Sequence, residues 1–181
     1  MYKIVKIDRK EDIFPIYQNT PISQFIEFHN FHQPQRPYDK AELLIGMCMD
    51  NRNSLRMPNN FAFIIRSGGA NLRYSEFKVS YAISVGGVKH IALLGHTNCG
   101  MVNLADRKEL FINGMVENAG WDASRAKESF EKHAPIFEIE NEVDFVVCEA
   151  QRLREKYPKV TVVPMLYKIE DHLIYLINEE I

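Results

Sequence analysis

The sequence contains few cysteines and no long apolar segment. Its 181 residues include three cysteines, an odd number that makes a poor disulfide framework. No run approaches the roughly 20 consecutive apolar residues that a membrane span needs. The first residues, MYKIVKIDRKEDIF, carry charges where a signal peptide has an apolar stretch. We therefore expect a cytoplasmic protein without membrane contact, whose cysteines bind metal, act as nucleophiles or pack in the core.

An excess of basic charge is also lacking. The 22 Lys and Arg residues are balanced by 24 Asp and Glu residues, which gives a formal net charge of -2. Because a protein that binds nucleic acid usually carries a basic patch to neutralise phosphates, this balance argues against a nucleic-acid partner. The hydrophobic fraction of 46% and the charged fraction of 25% are ordinary for a globular protein.

The length fits a single domain over residues 1–181, with an N-terminal arm over residues 1–40. In this arm, Thr20-Pro21 is a helix-start signal, since threonine caps a helix and proline suits its first position. The segment HQPQRPYD then ends the helical pattern. A helix this short is marginal alone. We expect the arm to lie either on its own core or on a partner subunit, and we favour the partner.

From residue 42 the chain alternates apolar runs with amphipathic segments. The segments at 75–85 and 140–157 predict helices, and a helix over 122–133 is expected to end before Pro135. Strands connected through a helix, without a tight hairpin turn, are expected to be parallel. The predicted fold class is α/β, with a mostly parallel central β-sheet flanked by helices. The runs that predict buried strands are residues 43–47, 61–65, 90–94 and 160–166.

Three polar motifs directly follow the first three of these apolar runs. They are CMDNR at 48–52, RSGGA at 66–70 and HTNCG at 96–100. In an open parallel sheet, the carboxyl ends of the strands border the ligand crevice. The three motifs should therefore converge in space although they lie far apart in sequence.

Cys48, His96 and Cys99 supply two thiolates and one imidazole, which form a good ligand set for tetrahedral zinc. The His-x-x-Cys spacing lets two side chains of one turn face a single point. Three protein ligands leave a fourth position open for water, as in catalytic rather than structural zinc sites. The sequence therefore predicts one catalytic Zn²⁺ per chain.

Four further residues of these motifs are predicted to complete the site. An ionised Asp50 can accept a hydrogen bond from a zinc-bound hydroxide, and Arg52 can keep Asp50 charged by pairing with it. Gly68 and Gly69 would let the backbone approach the metal cavity without a Cβ in the way, so we assign them to the substrate pocket. Because two thiolates cancel the charge of Zn²⁺, its bound water should titrate above the pKa of about 7 that three neutral histidines produce.

Together, CMDNR and HTNCG resemble the paired zinc-binding motifs of the β-carbonic anhydrases, Cys-x-Asp-x-Arg and His-x-x-Cys. RSGGAN is similar to the Arg-x-x-Gly stretch that lies between them, and the short chain resembles the compact prokaryotic branch of that family. The match covers residues 42–105 well and the remainder in outline. This resemblance implies a zinc lyase, a carbonate dehydratase, in which a zinc-bound hydroxide hydrates carbon dioxide reversibly to bicarbonate.

The resemblance also implies roles for individual residues. It assigns Cys48, His96 and Cys99 as the zinc ligands, and Asp50 with Arg52 as the pair that orients the attacking hydroxide. It implies a homodimer or a higher homo-oligomer, in which the N-terminal arm crosses to the partner and the site lies near the interface. In some members of the family, the motif aspartate replaces water on zinc and shuts the site at lower pH.

One motif position departs from the family, because Asn51 stands where serine is common. Its larger amide could alter hydrogen bonding around Asp50 and Arg52, or the shape of the cavity, without removing a ligand. Three alternatives stay open. The site could hydrolyse carbon disulfide or carbonyl sulfide, the chain could bind zinc or bicarbonate without catalysis, or a free Cys48 or Cys99 could act as a nucleophile.

Structural roles compete with each of these assignments. The two predicted cysteine ligands could be buried small hydrophobes, the Asp–Arg pair could be a structural ion pair, and the two glycines could form only a turn. Cys148 is expected to pack in the core. The histidines other than His96 are expected to be solvated or structural.

Overall fold

The structure, a computed structural model that describes residues 2–179, contains one mixed sheet. Its six strands lie in the order β1-β6-β5-β4-β2-β3. Strands β2 to β5 run parallel, whereas β6 and β1 run antiparallel to their neighbours. The predicted α/β class with a mostly parallel central sheet is confirmed. The strands are β1 Lys3–Val5, β2 Leu43–Met47, β3 Ala62–Arg66, β4 His90–His96, β5 Thr161–Lys168 and β6 Leu173–Asn178.

The helices flank this sheet, and side chains cap the first turns of α1 and α5. The Thr20 hydroxyl oxygen accepts a hydrogen bond from the N–H of Ile22 at 3.2 Å, and Asn141 accepts one from the N–H of Asp144 at 2.7 Å. Within residues 2–179, no helix has the length and hydrophobicity of a membrane span. The helices are α1 Pro21–Asn30, α2 Glu76–Ser84, α3 Lys108–Ala119, α4 Ala123–Phe137 and α5 Glu142–Lys156.

Helix α1 packs on one face of its own chain's sheet. Its apolar side chains, Ile22, Phe25 and Ile26, are fully buried and share a core cluster with Leu43 and Phe61. Burial of each such side chain contributes about 1.5–3 kcal/mol, which explains why so short a helix is stable here. Contact between the N-terminal arm and a second subunit stays a prediction.

The other face of the sheet carries α2 and α5. A second core cluster joins Leu44, Ile91 and Leu93 to residues of these two helices. With helices on both faces, β2 is buried at every position, as its continuous apolar run predicts. β2 and β4 therefore lie at the centre of the molecule, and their carboxyl ends form a rigid platform for the residues that follow them.

The prediction that residues 61–65 form a strand buried on both faces is wrong. β3 is the outermost strand at one edge of the sheet, and Phe63 and Ile64 expose 37% and 43% of their surfaces. An apolar run indicates a strand, but it does not tell whether that strand has neighbours on both sides. The edge of β3 thus presents apolar side chains to solvent.

Two smaller predictions are also wrong. Helix α4 continues through Pro135 to Phe137, because the proline lies in the last turn and the N–H of Glu138 still donates to the Ala134 carbonyl at 2.9 Å. Cys148 is exposed rather than packed in the core. It points away from the buried stripe of α5, which is formed by Val146, Val147, Glu149, Ala150 and Leu153.

Candidate metal centre

The ends of two central strands carry the predicted metal ligands. β2 ends at Met47, directly before Cys48, and His96 is the last residue of β4. The two strands are parallel neighbours, with Met47 paired to Leu94. The chain then turns, with Asn98 in the left-handed region at φ 57°, which brings Cys99 back toward His96. The convergence predicted for CMDNR and HTNCG is therefore present.

The side chains of Cys48, His96 and Cys99, here called the ligand triad, form a compact and buried group. Their potential ligand atoms all lie within 4.8 Å of one another, and the two Sγ atoms are 3.9 Å apart. Zn–S bonds of about 2.3 Å in a tetrahedral site place two sulfurs about 3.8 Å apart. Among residues 2–179, this is the group of His, Cys, Asp and Glu side chains that could hold a metal ion.

One nitrogen of His96 lacks a hydrogen-bond partner. Nδ1 lies 2.9 Å from the Thr97 carbonyl oxygen, which can only accept, so we assign the proton to Nδ1. Nε2 is buried and has no partner in the described structure. An unsatisfied buried polar atom costs about 1–3 kcal/mol, unless it serves as a ligand. A metal between Nε2 and the two sulfurs would satisfy this nitrogen, and the Nδ1 hydrogen bond would orient the ring for it.

The two thiols of the triad differ in acidity. A hydrogen bond from the Cys99 thiol, together with the backbone N–H groups of Asp50 and Gly69, lowers the pKa of Cys48 to about 4 although burial opposes this. The pKa of Cys99 is raised, because its thiol donates a hydrogen bond to Cys48 and because it is buried. Without a cation the pair therefore carries one negative charge on Cys48. A divalent ion would deprotonate the second thiol as it binds.

Asp50 and Arg52 form a close ion pair beside the triad. Arg52 Nε donates to both carboxylate oxygens at 3.0 and 3.2 Å, and Nη2 donates to Oδ2 at 2.6 Å. This pairing lowers the pKa of Asp50 to about 2, so the carboxylate is charged at neutral pH. Asp50 Oδ2 lies 3.9 Å from His96 Nε2, at the edge of the triad.

The predicted glycines approach the triad through their backbone. Gly69 has φ 61°, and its N–H donates to the Cys48 sulfur. A Cβ at Gly68 would lie 2.9 Å from the Met101 Sδ, so the methionine would have to shift to admit a side chain. An apolar cavity of about 470 Å³ lies alongside, lined in part by Met49, Gly68, Met101, Phe111, Phe130 and Phe137. The assignment of Gly68 and Gly69 to a substrate pocket stays a prediction.

A family model described as carbonic anhydrase matches residues 44–173, a span that holds every predicted site residue. The chain belongs to the β-carbonic anhydrase family. The members of that family with known structures confirm the fold, although no sequence among the curated proteins matches this chain.

Three solved structures illustrate this similarity. A β-carbonic anhydrase from Trichomonas vaginalis has a TM-score of 0.59 and 16% identity, over 82% of this chain and 90% of that chain. A carbonic anhydrase from Streptococcus mutans has the same TM-score of 0.59 and 16% identity, over 82% and 89%. The apo form of a carbon disulfide hydrolase has a TM-score of 0.56 and 17% identity, over 77% and 80%. At these identities the likeness shows the fold alone.

Three residues that support the site were not identified from the sequence. Arg66, at the end of β3, donates to the carbonyl oxygens of Cys48 at 3.1 Å and Asn53 at 3.0 Å. Glu142 accepts from the N–H of Cys99 at 3.0 Å, and Glu170 accepts from Thr97 and Asn98 side chains. Arg66 opens one of the polar motifs and could have been found there. Neither Glu142 nor Glu170 lies in a motif that would have indicated its contact with the site.

Proposed function

We propose that this β-carbonic anhydrase family member is a zinc-dependent carbonate dehydratase, which interconverts carbon dioxide and bicarbonate. The observation that carries the proposal is the unpaired, buried Nε2 of His96, which faces two cysteine sulfurs beside the charged carboxylate of Asp50. This arrangement offers three ligands and a polar group at the remaining side, as a catalytic zinc site requires.

The proposed mechanism divides the work among the chain's own residues. Cys48, His96 and Cys99 would hold Zn²⁺, which supplies Lewis acidity and so makes water a nucleophile near neutral pH. Asp50, held by two groups of the Arg52 guanidinium, accepts a hydrogen bond from the nucleophile and sets its direction of attack. Because the pKa of Asp50 is lowered to about 2, it accepts rather than donates throughout the neutral range.

The apolar cavity beside the triad supports a neutral substrate. Its walls include Met49, which follows Cys48 in the chain, and Met101, which packs against both cysteines of the triad. Carbon dioxide is small and uncharged, so it loses little hydration there, whereas the anionic product gains nothing from apolar walls. Carbon disulfide and carbonyl sulfide share these properties, and the fold is similar to that of a hydrolase for the former.

Activity assays would test the reaction. We expect wild-type chain holding one zinc to hydrate carbon dioxide, measured by stopped-flow acidification, with little release of sulfide from carbon disulfide or carbonyl sulfide. Cys48→Ser should lose both metal and turnover. Faster sulfide release than hydration would favour the hydrolase. A chain with full zinc and no turnover between pH 7 and 9 would favour a non-catalytic protein, and activity after zinc removal would favour a cysteine nucleophile.

We further propose that the chain forms at least a homodimer, in a compartment that keeps its thiols reduced, such as the cytoplasm. Exposed apolar side chains support self-association, since Phe63 and Ile64 on edge strand β3 lie beside Phe77 and Tyr81 of α2 along one groove. Light scattering should give at least twice the chain mass of 21.0 kDa, and Ile64→Lys should lower that mass. A wild-type chain that is monomeric at micromolar concentration would contradict this proposal.

A further inference from the structure

The turn between β5 and β6, residues 169–172, contacts the loop that carries two of the metal ligands. Glu170 in this turn uses both carboxylate oxygens, one accepting from the Thr97 hydroxyl at 2.7 Å and the other from the Asn98 amide at 3.0 Å. The N–H of Ile169 also donates to the Thr97 hydroxyl at 3.0 Å. A segment more than seventy residues away in sequence thus holds the residues between His96 and Cys99.

The residue held by Glu170 is itself a partner of Arg52. The carbonyl oxygen of Asn98 accepts from Arg52 Nη2 at 2.9 Å, and the same nitrogen donates to Asp50. Asn98 has φ 57°, a conformation that its backbone adopts only when surrounding contacts favour it. Glu170 supplies such a contact through the Asn98 side chain. A continuous series of hydrogen bonds therefore links Glu170 through Asn98 and Arg52 to Asp50.

A second carboxylate contacts the same loop at a different point. Glu142, at the start of α5, accepts from the N–H of Cys99 and so holds a ligand directly. Glu170 instead accepts from the side chains of Thr97 and Asn98, and the Asn98 carbonyl oxygen accepts from Arg52. The two carboxylates are therefore placed for different tasks, one at a metal ligand and the other at the partner of Asp50.

We propose that Glu170 is a positioning residue, which holds Asn98 so that its carbonyl oxygen anchors Arg52 and thereby sets the direction of the Asp50 carboxylate. This inference rests on the proposed function, because it assigns Asp50 the task of orienting the nucleophile. Loss of the Glu170 contacts leaves Arg52 paired with Asp50 but without its second fixed acceptor. The pair then samples more orientations, and fewer of them suit the attack.

The first test compares turnover in variants of Glu170 and Asn98. We expect Glu170→Ala to lower kcat about 5- to 10-fold with full zinc content, since misplacement of a catalytic group is costly even when the group remains. Asn98→Gly removes the same amide but tolerates the left-handed backbone, so it should match Glu170→Ala. Glu170→Gln keeps one acceptor oxygen, so its kcat should fall between those of wild type and Glu170→Ala. Unchanged kcat in Glu170→Ala would overturn the inference.

A double-mutant cycle separates positioning from a general structural role. In an Arg52→Ala background, Glu170→Ala should have no further effect on kcat, because its route to Asp50 is already lost. Multiplying effects would overturn the inference. The matched control is Tyr175→Phe, which removes the hydrogen bond between Tyr175 and Asp171 in the same turn but touches neither Thr97 nor Asn98. Its kcat should stay within about twofold of wild type.

A measurement on metal-free protein keeps this inference distinct from the proposed function. In ¹⁵N NMR spectra, the Arg52 Nη2 hydrogens should exchange with solvent at least about threefold faster in Glu170→Ala than in wild type or Tyr175→Phe, because Nη2 donates to the Asn98 carbonyl oxygen. Equal exchange would overturn the inference whatever the activity. If wild type does not hydrate carbon dioxide, the proposed function fails, and the exchange rates alone decide whether Glu170 anchors Arg52.

Discussion

His29 and His96 are both buried, with 6% and 1% of their surfaces exposed, but they differ in the hydrogen bonds of their ring nitrogens. Both nitrogens of His29 are paired, since Nε2–H donates to the His172 carbonyl at 2.9 Å and Nδ1 accepts from the N–H of Arg56 at 3.0 Å. In His96 only Nδ1 is paired. Burial therefore does not separate a structural histidine from a candidate metal ligand. The unpaired nitrogen does.

The largest effect that follows from this comparison concerns metal content. His96→Ala should bind zinc at least about 100-fold more weakly than wild type, because it removes a predicted ligand itself and not a residue that only orients a ligand. His29→Gln should keep one zinc per chain. Elemental analysis after dialysis against a weak chelator measures both. Zinc retained by His96→Ala, or lost equally from the two variants, would break the distinction.

A smaller effect is expected at Asp50, whose carboxylate lies 3.9 Å from the unpaired nitrogen of His96. Asp50→Ala should keep its zinc and lower kcat about 100-fold, because the nucleophile loses the acceptor that orients it. The control is Asp8→Ala, because Asp8 is an exposed aspartate that lies outside the three motifs. Normal turnover in Asp50→Ala would show that the carboxylate is only part of a structural ion pair.

The smallest expected effect is a pH dependence of stability at the fully paired histidine. Burial lowers the pKa of His29. A proton on Nδ1 would also displace the hydrogen bond from the N–H of Arg56, which opposes protonation as well. As the pH falls below about 6.5, His29 is therefore protonated in the unfolded chain before it is protonated in the folded chain. The free energy of unfolding is highest above that pH and decreases as the pH falls toward the lower pKa of the folded chain.

His29→Gln tests this dependence because glutamine can donate and accept but cannot titrate. Urea midpoints of metal-free wild type and variant should be compared at pH 7.5 and 5.5. Wild type should lose more stability between the two values than the variant does. Parallel losses would show that protonation of His29 does not contribute.

Much of the site could be predicted from the sequence, for a physical reason. Cys48 and His96 lie at the ends of two strands with apolar central residues, and such runs, connected through helices, are typical of a parallel sheet covered on both faces. Their carboxyl ends must meet at one edge, so residues 48–52 and 96–100 are brought together by the sheet itself. The fold class followed from the same alternation of apolar runs and amphipathic segments.

What could not be predicted depends on contacts between distant segments. Nothing in the sequence near Glu170 indicates that its carboxylate reaches Asn98, because the partner is set by where β5 returns beside β4. The exposure of Phe63 depends on strand order in the sheet, which an apolar run does not contain. The three-residue strand β1 was missed since it is too short to show alternation, and its pairing with β6 alone defines it.

The alignment of β2 with β4, in which Met47 faces Leu94, also makes the ligand triad sensitive to errors in assembly. A shift of one residue between these strands would move Cys48 by about 3.3 Å relative to His96, a large fraction of the 4.8 Å within which the ligand atoms of the triad lie. A cation can bridge them only when the strands are correctly aligned. Its binding energy therefore stabilises the native arrangement of the sheet selectively over shifted ones.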